Sequence, residues 1–380
     1  MRLGIDIRSL TDRYYSGISE YVANILPEMI AQARPEEDFS LFYNCFGRAG
    51  RERLDWLKGE KVSLINPGIP NKVFNYPLER LLGRPKLDSL VESDAFWLPH
   101  FNFASFSKDF PYILTIHDLS FRRYPEFFNT RKNLWHRLLP VRQLAGRASK
   151  IVAVSEHTKR DIIELLDIPE EKIAVVYSGL AGRVEVGERE RIGIAADLGL
   201  NKPYVLYLGT VEPRKNVDGL IAAFNLLKQQ GHVSPDFRLI IAGAWGWKAG
   251  GIREAWQKSP FRSDISFLGY VSRLEKEVLY QYASVFAYPS FYEGFGFPPL
   301  EAMARSCPVV VGNSSSLPEI CGQAALYCPP GDVMSLAVGL EKAIADKEER
   351  SRLIEAGHQQ VQRYSWHRAA AQYLNLLRSI

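Results

Sequence analysis

The chain has 380 residues, 46% of them hydrophobic and 24% charged, with a formal net charge of +4 at pH 7. That is the composition of an ordinary globular protein of about two domains, each large enough for its own core. So mild a charge, with no zinc-finger spacing and no basic tail, points away from a nucleic-acid partner. No run reaches the roughly 18 apolar residues of a spanning helix. The opening MRLGIDIRSL carries Asp6 and reads as a first strand, not a signal peptide. Cys45, Cys307, Cys321 and Cys328 form no C-x-x-C and read as reduced core thiols of a cytosolic protein.

Residues 3–7 are a short apolar strand. A loop over 9–16 follows and ends at Gly17. Ile18, Tyr21, Val22, Ile25, Leu26, Met29 and Ile30 then recur with the period of a core-facing helix. The unit is strand, glycine loop, helix. It has no G-x-G-x-x-G, which argues against a dinucleotide-binding oxidoreductase. Further strands are expected over 39–43, 62–66, 95–98, 112–116, 151–155 and 173–177. Strands alternating with helices imply a mostly parallel sheet, whose ligands sit beyond the C-terminal strand ends. His100 in W-L-P-H and His117 in T-I-H-D fall at such ends. Ser155 opens V-S-E-H-T-K-R-D and reads as a helix N-cap.

Residues 121–150 hold eight Lys and Arg residues against one acid, Glu126, with Phe127, Phe128, Trp135, Leu138 and Leu139 interleaved. Such a segment is either a solvated helix with an apolar core stripe or a face for an anionic membrane surface. Residues 181–202 read as a linker with a short helix near 192–198. A second alternating series follows, with strands over 204–208, 239–242, 265–268, 285–288 and 309–311. After its first strand comes G-T-V-E-P-R-K-N, which places Arg214 and Lys215 at a strand end. Two cations there suit a diphosphate, Arg through its fork and Lys as a point charge. The strand at 265–268 ends in F-L-G-Y-V, with Tyr270 at its tip.

Residues 285–303 read V-F-A-Y-P-S-F-Y-E-G-F-G-F-P-P-L-E-A-M. An apolar strand ends at Pro289, a Gly/aromatic loop follows, and Pro298-Pro299 opens a helix. Glu293 then lies in the loop and Glu301 in the first helical turn. Backbone N–H groups at Gly294, Gly296 and Phe297, beside a helix N-terminus, attract phosphate. The bland alternative is a strand–loop–helix unit with two surface glutamates.

The form E-G-F-G-F-P-P-L-E-A-M, with two glutamates bracketing seven residues, resembles the signature of retaining glycosyltransferases of family 4. The resemblance covers nearly the whole chain and is strongest over 203–330. It implies a GT-B fold, an α/β protein of two doubly wound Rossmann-like domains facing a cleft. The expected division is 1–180 for the acceptor, 181–202 as linker, 203–360 for the nucleotide-sugar, and 361–380 as a helix crossing back to the first domain. The implied enzyme is a retaining hexosyltransferase that needs no metal and no cofactor beyond its donor. Glu293 would hold the transferred sugar's hydroxyls, His117 and Asp118 would hold it from the first domain, and Arg214 and Lys215 would take the leaving diphosphate. Gly17 would admit the donor phosphates, the Gly296 and Phe297 amides would bind them, Tyr270 would meet the base and Glu301 the ribose. His100 and Ser155 match acceptor-side positions. The polar run 313–316 is expected to brace the site.

The run T-I-H-D-L-S-F with Y-P-E-F-F is most similar to bacterial mannosyltransferases of polysaccharide and O-antigen assembly. GDP-mannose is therefore the expected donor, and a glycan or polyprenyl-diphosphate-linked sugar the expected acceptor. The protein is expected in the cytoplasm, peripheral at the inner membrane face through 121–150. Two alternatives stay open: an epimerase or phosphorylase on the same fold, and a catalytically silent sugar-nucleotide-binding subunit.

Overall fold

The structure, a computed structural model, describes residues 1–11, 17–45, 52–57, 59–69, 74 and 83–380. The chain divides into two compact units. The first comprises Met1–Leu119, Leu134–Ala181 and Tyr364–Ile380; the second comprises Ser120–Asn133 and Gly182–Arg363. Ser120–Asn133 thus groups with the second unit, although it falls inside the stretch 1–180 read as one domain. Most of the stretch 181–202 read as a linker joins that unit too: Glu188–Asp197 is a helix, and the Val184 N–H donates to Glu277 Oε1 at 3.3 Å.

In the first unit the strands are β1 (Arg2–Asp6), β2 (Asp38–Phe42), β3 (Val62–Ile65), β4 (Ala95–Leu98), β5 (Tyr112–Ile116), β6 (Lys150–Ala153) and β7 (Ile173–Val175). They form one sheet in the order β3-β2-β1-β4-β5-β6-β7, every neighbour parallel. β4 and β5 are buried at every position, which is why they read as unbroken apolar runs. The Gly17–Ala31 helix buries Tyr21, Val22, Ile25, Leu26 and Met29, the stripe its spacing announces. Part of the preceding loop, residues 12–16, lies outside the described residues.

The helix Trp366–Arg378 completes this unit. Its Tyr373 hydroxyl lies 2.7 Å from the Tyr21 hydroxyl and 2.6 Å from Thr115 Oγ1. Thr115 Oγ1 in turn accepts from the Trp97 indole N–H at 2.9 Å. All four side chains are buried, so these hydroxyls satisfy one another where water does not reach. Gly179 meets the start of the helix so closely that a Cβ there would stand 2.1 Å from the Trp366 nitrogen.

The second unit has β8 (Tyr204–Leu208), β9 (Arg238–Ala242), β10 (Ile265–Gly269), β11 (Val285–Tyr288), β12 (Val309–Gly312) and β13 (Leu326–Cys328). Their order is β10-β9-β8-β11-β12-β13, again all parallel. β13 was not expected; three residues before a Pro-Pro pair carry too little pattern to read as a strand. Both sheets reverse direction beside their first strand, between β1 and β4 and between β8 and β11. In doubly wound sheets the crevice at that reversal is where ligands bind. Among the described residues no helix is long and apolar enough to cross a membrane.

Candidate active site

The reversal point of the second sheet gathers the charged residues of two loops. After β8 the chain turns through Glu212, Arg214 and Lys215, and Asn216 takes φ 56° as the helix Val217–Gln229 begins. After β11 it runs through Ser290 to Gly296. The Phe291 N–H donates to the Arg214 carbonyl at 2.9 Å, so the two loops are joined through their backbones. Gly296 has φ 103° and caps the helix Phe297–Ala304. A Cβ at Gly296 would also come within 2.9 Å of Leu317, so only glycine fits.

Within this frame Lys215 Nζ donates to Glu293 Oε1 at 2.5 Å and to the Tyr288 hydroxyl at 2.6 Å. Arg214 Nη1 donates to the Tyr292 carbonyl at 2.5 Å and to Glu293 Oε2 at 3.2 Å. The Nε and Nη2 of Arg214 both donate to Glu212 Oε1, at 3.1 and 2.8 Å. Glu212, Lys215 and Glu293 are all buried. Burial alone would raise the Glu293 pKa, but Lys215 and Arg214 outweigh it and hold the carboxylate below its ordinary range. Burial, with Arg214 beside it, lowers the Lys215 pKa against the pull of Glu293 and Glu212. The cluster is two acids against two bases, formally neutral and largely dry.

Serines of the run after β12 hold the loop in place. Ser315 Oγ accepts from the Glu293 N–H at 2.7 Å, and Ser316 Oγ donates to the carbonyls of Glu293 and Phe295 at 3.0 Å each. This is the bracing expected of 313–316. Phe291 and Tyr292 are flanked by Phe127 and Tyr124, with ring centroids 5.4 and 5.7 Å apart.

The chain resembles known proteins over both of its halves. The family model described as "Glycosyl transferases group 1" matches residues 189–360, and "Glycosyltransferase Family 4" matches residues 16–181. The O-antigen chain mannosyltransferase B of Escherichia coli is 30% identical over 290 residues, 76% of this chain and 74% of that one. The chain belongs to the family 4 glycosyltransferases. The O-antigen chain mannosyltransferase RfbU of Salmonella typhimurium is 28% identical, over 67% of this glycosyltransferase and 65% of that relative. A glycogen synthase of Mycobacterium tuberculosis is 29% identical, over 57% of this chain and 51% of its own. Among solved structures, Anabaena HepE in complex with UDP and glucose superposes with a TM-score of 0.72 at 18% identity, covering 100% of both chains. That likeness establishes the GT-B fold.

The remaining expected residues of the glycosyltransferase take definite places. Glu301 is buried, its Oε1 accepting from Lys276 at 2.7 Å and its Oε2 from the Tyr280 hydroxyl at 3.0 Å. Because the helix starts at Phe297, Glu301 lies in its second turn and not the first. Tyr270 is 65% exposed beyond β10. Gly17 is exposed, and among the described residues nothing lies within 4 Å of a Cβ built there.

In the first unit, His117 follows β5 and its Nε2 lies 2.8 Å from the Pro99 carbonyl. Since a carbonyl only accepts, Nε2 carries the proton and Nδ1 is left as the acceptor. Burial pushes the His117 pKa down to about 4, the Pro99 carbonyl and Asp118 opposing this in part, so the ring is neutral at pH 7. Asp118 beside it is half-buried. His100 directs Nδ1 to the Phe101 carbonyl at 2.9 Å. Ser155 is fully buried as the cap of the Glu156–Leu166 helix, accepting from the Thr158 N–H at 3.0 Å, and the cap accounts for it.

Sequence reading missed Glu212 and Tyr288 in the cluster and Lys276 and Tyr280 beside Glu301. The acid two residues before Arg214 was in view, but nothing local shows that it binds that guanidinium.

Proposed function

We propose that this glycosyltransferase transfers a hexose, with retention at the anomeric carbon, from a nucleotide-sugar to a glycan or polyprenyl-diphosphate-linked acceptor, and that the donor is GDP-mannose. The observation that carries the reading is the Lys215–Glu293–Arg214 cluster at the reversal of the second sheet, beside a helix N-terminus. The leaving diphosphate gains negative charge in the transition state, and electrostatic stabilisation of that charge is the largest single lever an enzyme has. Arg214, Lys215 and the Gly296 and Phe297 amides supply it without calling on a metal ion. Glu293 then faces the transferred sugar, holding its hydroxyls. Neutral His117 offers Nδ1 to a sugar hydroxyl, with Asp118 beside it. Tyr270, exposed, takes the base, and Glu301 the ribose. Gly17 leaves room for the phosphates, and His100 lies on the acceptor side.

The E. coli and Salmonella relatives named as mannosyltransferases support mannose and a cell-surface polysaccharide product. On this reading the enzyme is cytoplasmic and meets a lipid-linked acceptor at the inner membrane face. On the helix Thr130–Leu138, Leu134 and Trp135 are 58% and 44% exposed, among Arg131 and Arg137, and they support peripheral contact there. A second donor is favoured by the glycogen synthase relative and by HepE with UDP and glucose, namely UDP-glucose.

The test is a thermal-shift panel with GDP, UDP, ADP and their sugar conjugates, with and without EDTA. A nucleotide at ten times its dissociation constant stabilises by roughly 1.4 kcal/mol. GDP and GDP-mannose are expected to raise the melting temperature equally well in EDTA. A shift with uridine nucleotides alone moves the donor to UDP-glucose, and no shift with any nucleotide overturns the transferase reading.

A further inference from the structure

Glu212 is only half satisfied. Its Oε1 accepts from Arg214, while Oε2, equally buried, has no hydrogen-bond partner among the described residues. A buried carboxylate in that state depends on nearby positive charge. The loop after β9 runs directly against it. The Val211 N–H donates to the Ala244 carbonyl and the Gly246 N–H to the Val211 carbonyl, each at 2.9 Å. A Cβ on Gly246 would stand 3.3 Å from Glu212 Cβ. The next residue is Trp247, and over its ring sits Lys132 Nζ, 3.0 Å from the centroid.

This seat is built. The Trp247 indole N–H donates to the Phe127 carbonyl at 2.8 Å, the Phe128 ring stacks on Trp247 at 5.6 Å, and Lys248 Nζ donates to the Glu126 carbonyl at 2.7 Å. The segment carrying Lys132 is therefore pinned at three points to Trp247 and Lys248. Among the described residues Lys132 has no ion-pair partner. Burial lowers its pKa, Glu212 opposes that and Arg214 adds to it, so the ammonium senses both members of the cluster.

The charge balance gives Lys132 a task. Arg214 and Lys215 are already matched by Glu212 and Glu293, so an arriving diphosphate finds no uncommitted cation among those four. When Arg214 turns to the phosphates, Glu212 is left without its partner. We propose that Lys132 is a positioning residue of the donor site, whose ammonium, held on Trp247, compensates Glu212 while Arg214 engages the diphosphate. The proposal rests on the nucleotide-sugar reading given above.

Calorimetric titration of the full chain with GDP and GMP tests it, comparing wild type, Lys132→Met and Lys132→Arg. Lys132→Met is expected to weaken GDP about tenfold, the loss of one charge contact, and GMP less than about twofold, since GMP makes a smaller demand on Arg214. Lys132→Arg, which can stack on the same indole, is expected to recover GDP to within about threefold of wild type. Melting curves of the ligand-free variants verify folding, and if Lys132→Met does not fold, Lys132→Gln takes its place with the same expected and overturning results. Equal GDP affinity in wild type and Lys132→Met overturns the proposal alone. So does an equal loss of both nucleotides, which marks Lys132 as merely structural. If wild type binds neither GDP nor UDP, the donor-site reading itself falls and takes this proposal with it.

Discussion

The Lys215 ammonium is held by two oxygens, Glu293 Oε1 and the Tyr288 hydroxyl, inside a buried pocket of charge. Lys215→Ala is expected to act twice. Donor turnover, as kcat/KM, falls by about a thousandfold as a stabilising charge is lost. Stability falls by roughly 3 kcal/mol, because Glu293 stays buried with one cation fewer; kinetics and chemical denaturation read the two effects separately. Glu293→Ala is expected to lower kcat about a hundredfold with KM within about threefold, since the sugar is lost and the phosphate site kept. Unchanged turnover in that variant would remove Glu293 from the sugar's neighbourhood. His117 makes a pH prediction. Its folded pKa of about 4 lies below the ordinary 6.5, so the unfolded chain binds the extra proton between those values. Stability from this group is complete above pH 6.5 and falls as pH drops toward 4, by up to roughly 3 kcal/mol. Denaturation midpoints of His117→Gln, measured down that range, should decline less than those of wild type. At this scale the sequence disclosed Glu293, Arg214 and Lys215 because each stands in a short motif at a strand end. Glu212, Trp247 and Lys132 stayed hidden because their partners are distant in the chain and no local period marks them.

Elements were easier to read than residues. Eleven-residue and longer stripes such as that of the Gly17–Ala31 helix, and fully buried strands such as β4 and β5, announce themselves by periodicity or by unbroken apolarity. Ends were harder. The Phe297–Ala304 helix starts at Phe297, ahead of both prolines, because the left-handed Gly296 turns the chain into it. Gly296→Ala therefore strains the backbone and presses on Leu317 together. A loss of roughly 2 kcal/mol is expected, with nucleotide affinity reduced by more than the stability change explains, as the Phe297 amide is displaced. Thermal melting with and without nucleotide measures both. A melting temperature equal to that of wild type would show that the helix start tolerates an ordinary residue. The short β13 illustrates the opposite limit: three residues hold too little pattern to be read without the neighbour they pair with.

For the whole molecule, the alternation of strands and helices was enough to foresee two parallel doubly wound sheets. The order of strands, and so the place of each reversal, is a tertiary fact that no window of sequence contains. The same holds for the chain's route. Ser120–Asn133 is flanked on both sides by first-unit sequence and yet belongs to the second, because Phe128, Lys132 and the Phe127 carbonyl meet Trp247 while the Phe127 ring meets Phe291. The basic, aromatic composition of residues 121–150 reads equally as a membrane face, and only packing separates the buried Phe128 from the exposed Trp135. Removing residues 364–380 is expected to unfold the first unit, since Tyr21 and Thr115 would lose Tyr373 and the apolar face of the Gly17–Ala31 helix its cover. Limited proteolysis of the truncated chain should then cut within 1–119 and 134–181 and spare 120–133 and 182–363.

That last dependence has a consequence for biosynthesis. The strands of the first unit are made well before the helix they need, for the buried polar chain from Trp97 to Tyr21 closes only on Tyr373. Translation at about 5–20 residues per second puts about 200 residues, and so about 10–40 s, between Ala181 and the arrival of that helix. Through that interval the nascent first unit exposes an apolar groove, the Tyr21 hydroxyl lacks Tyr373, and Thr115 keeps only Trp97. It is a natural client for chaperones, and a stalled or truncated message leaves it open to degradation.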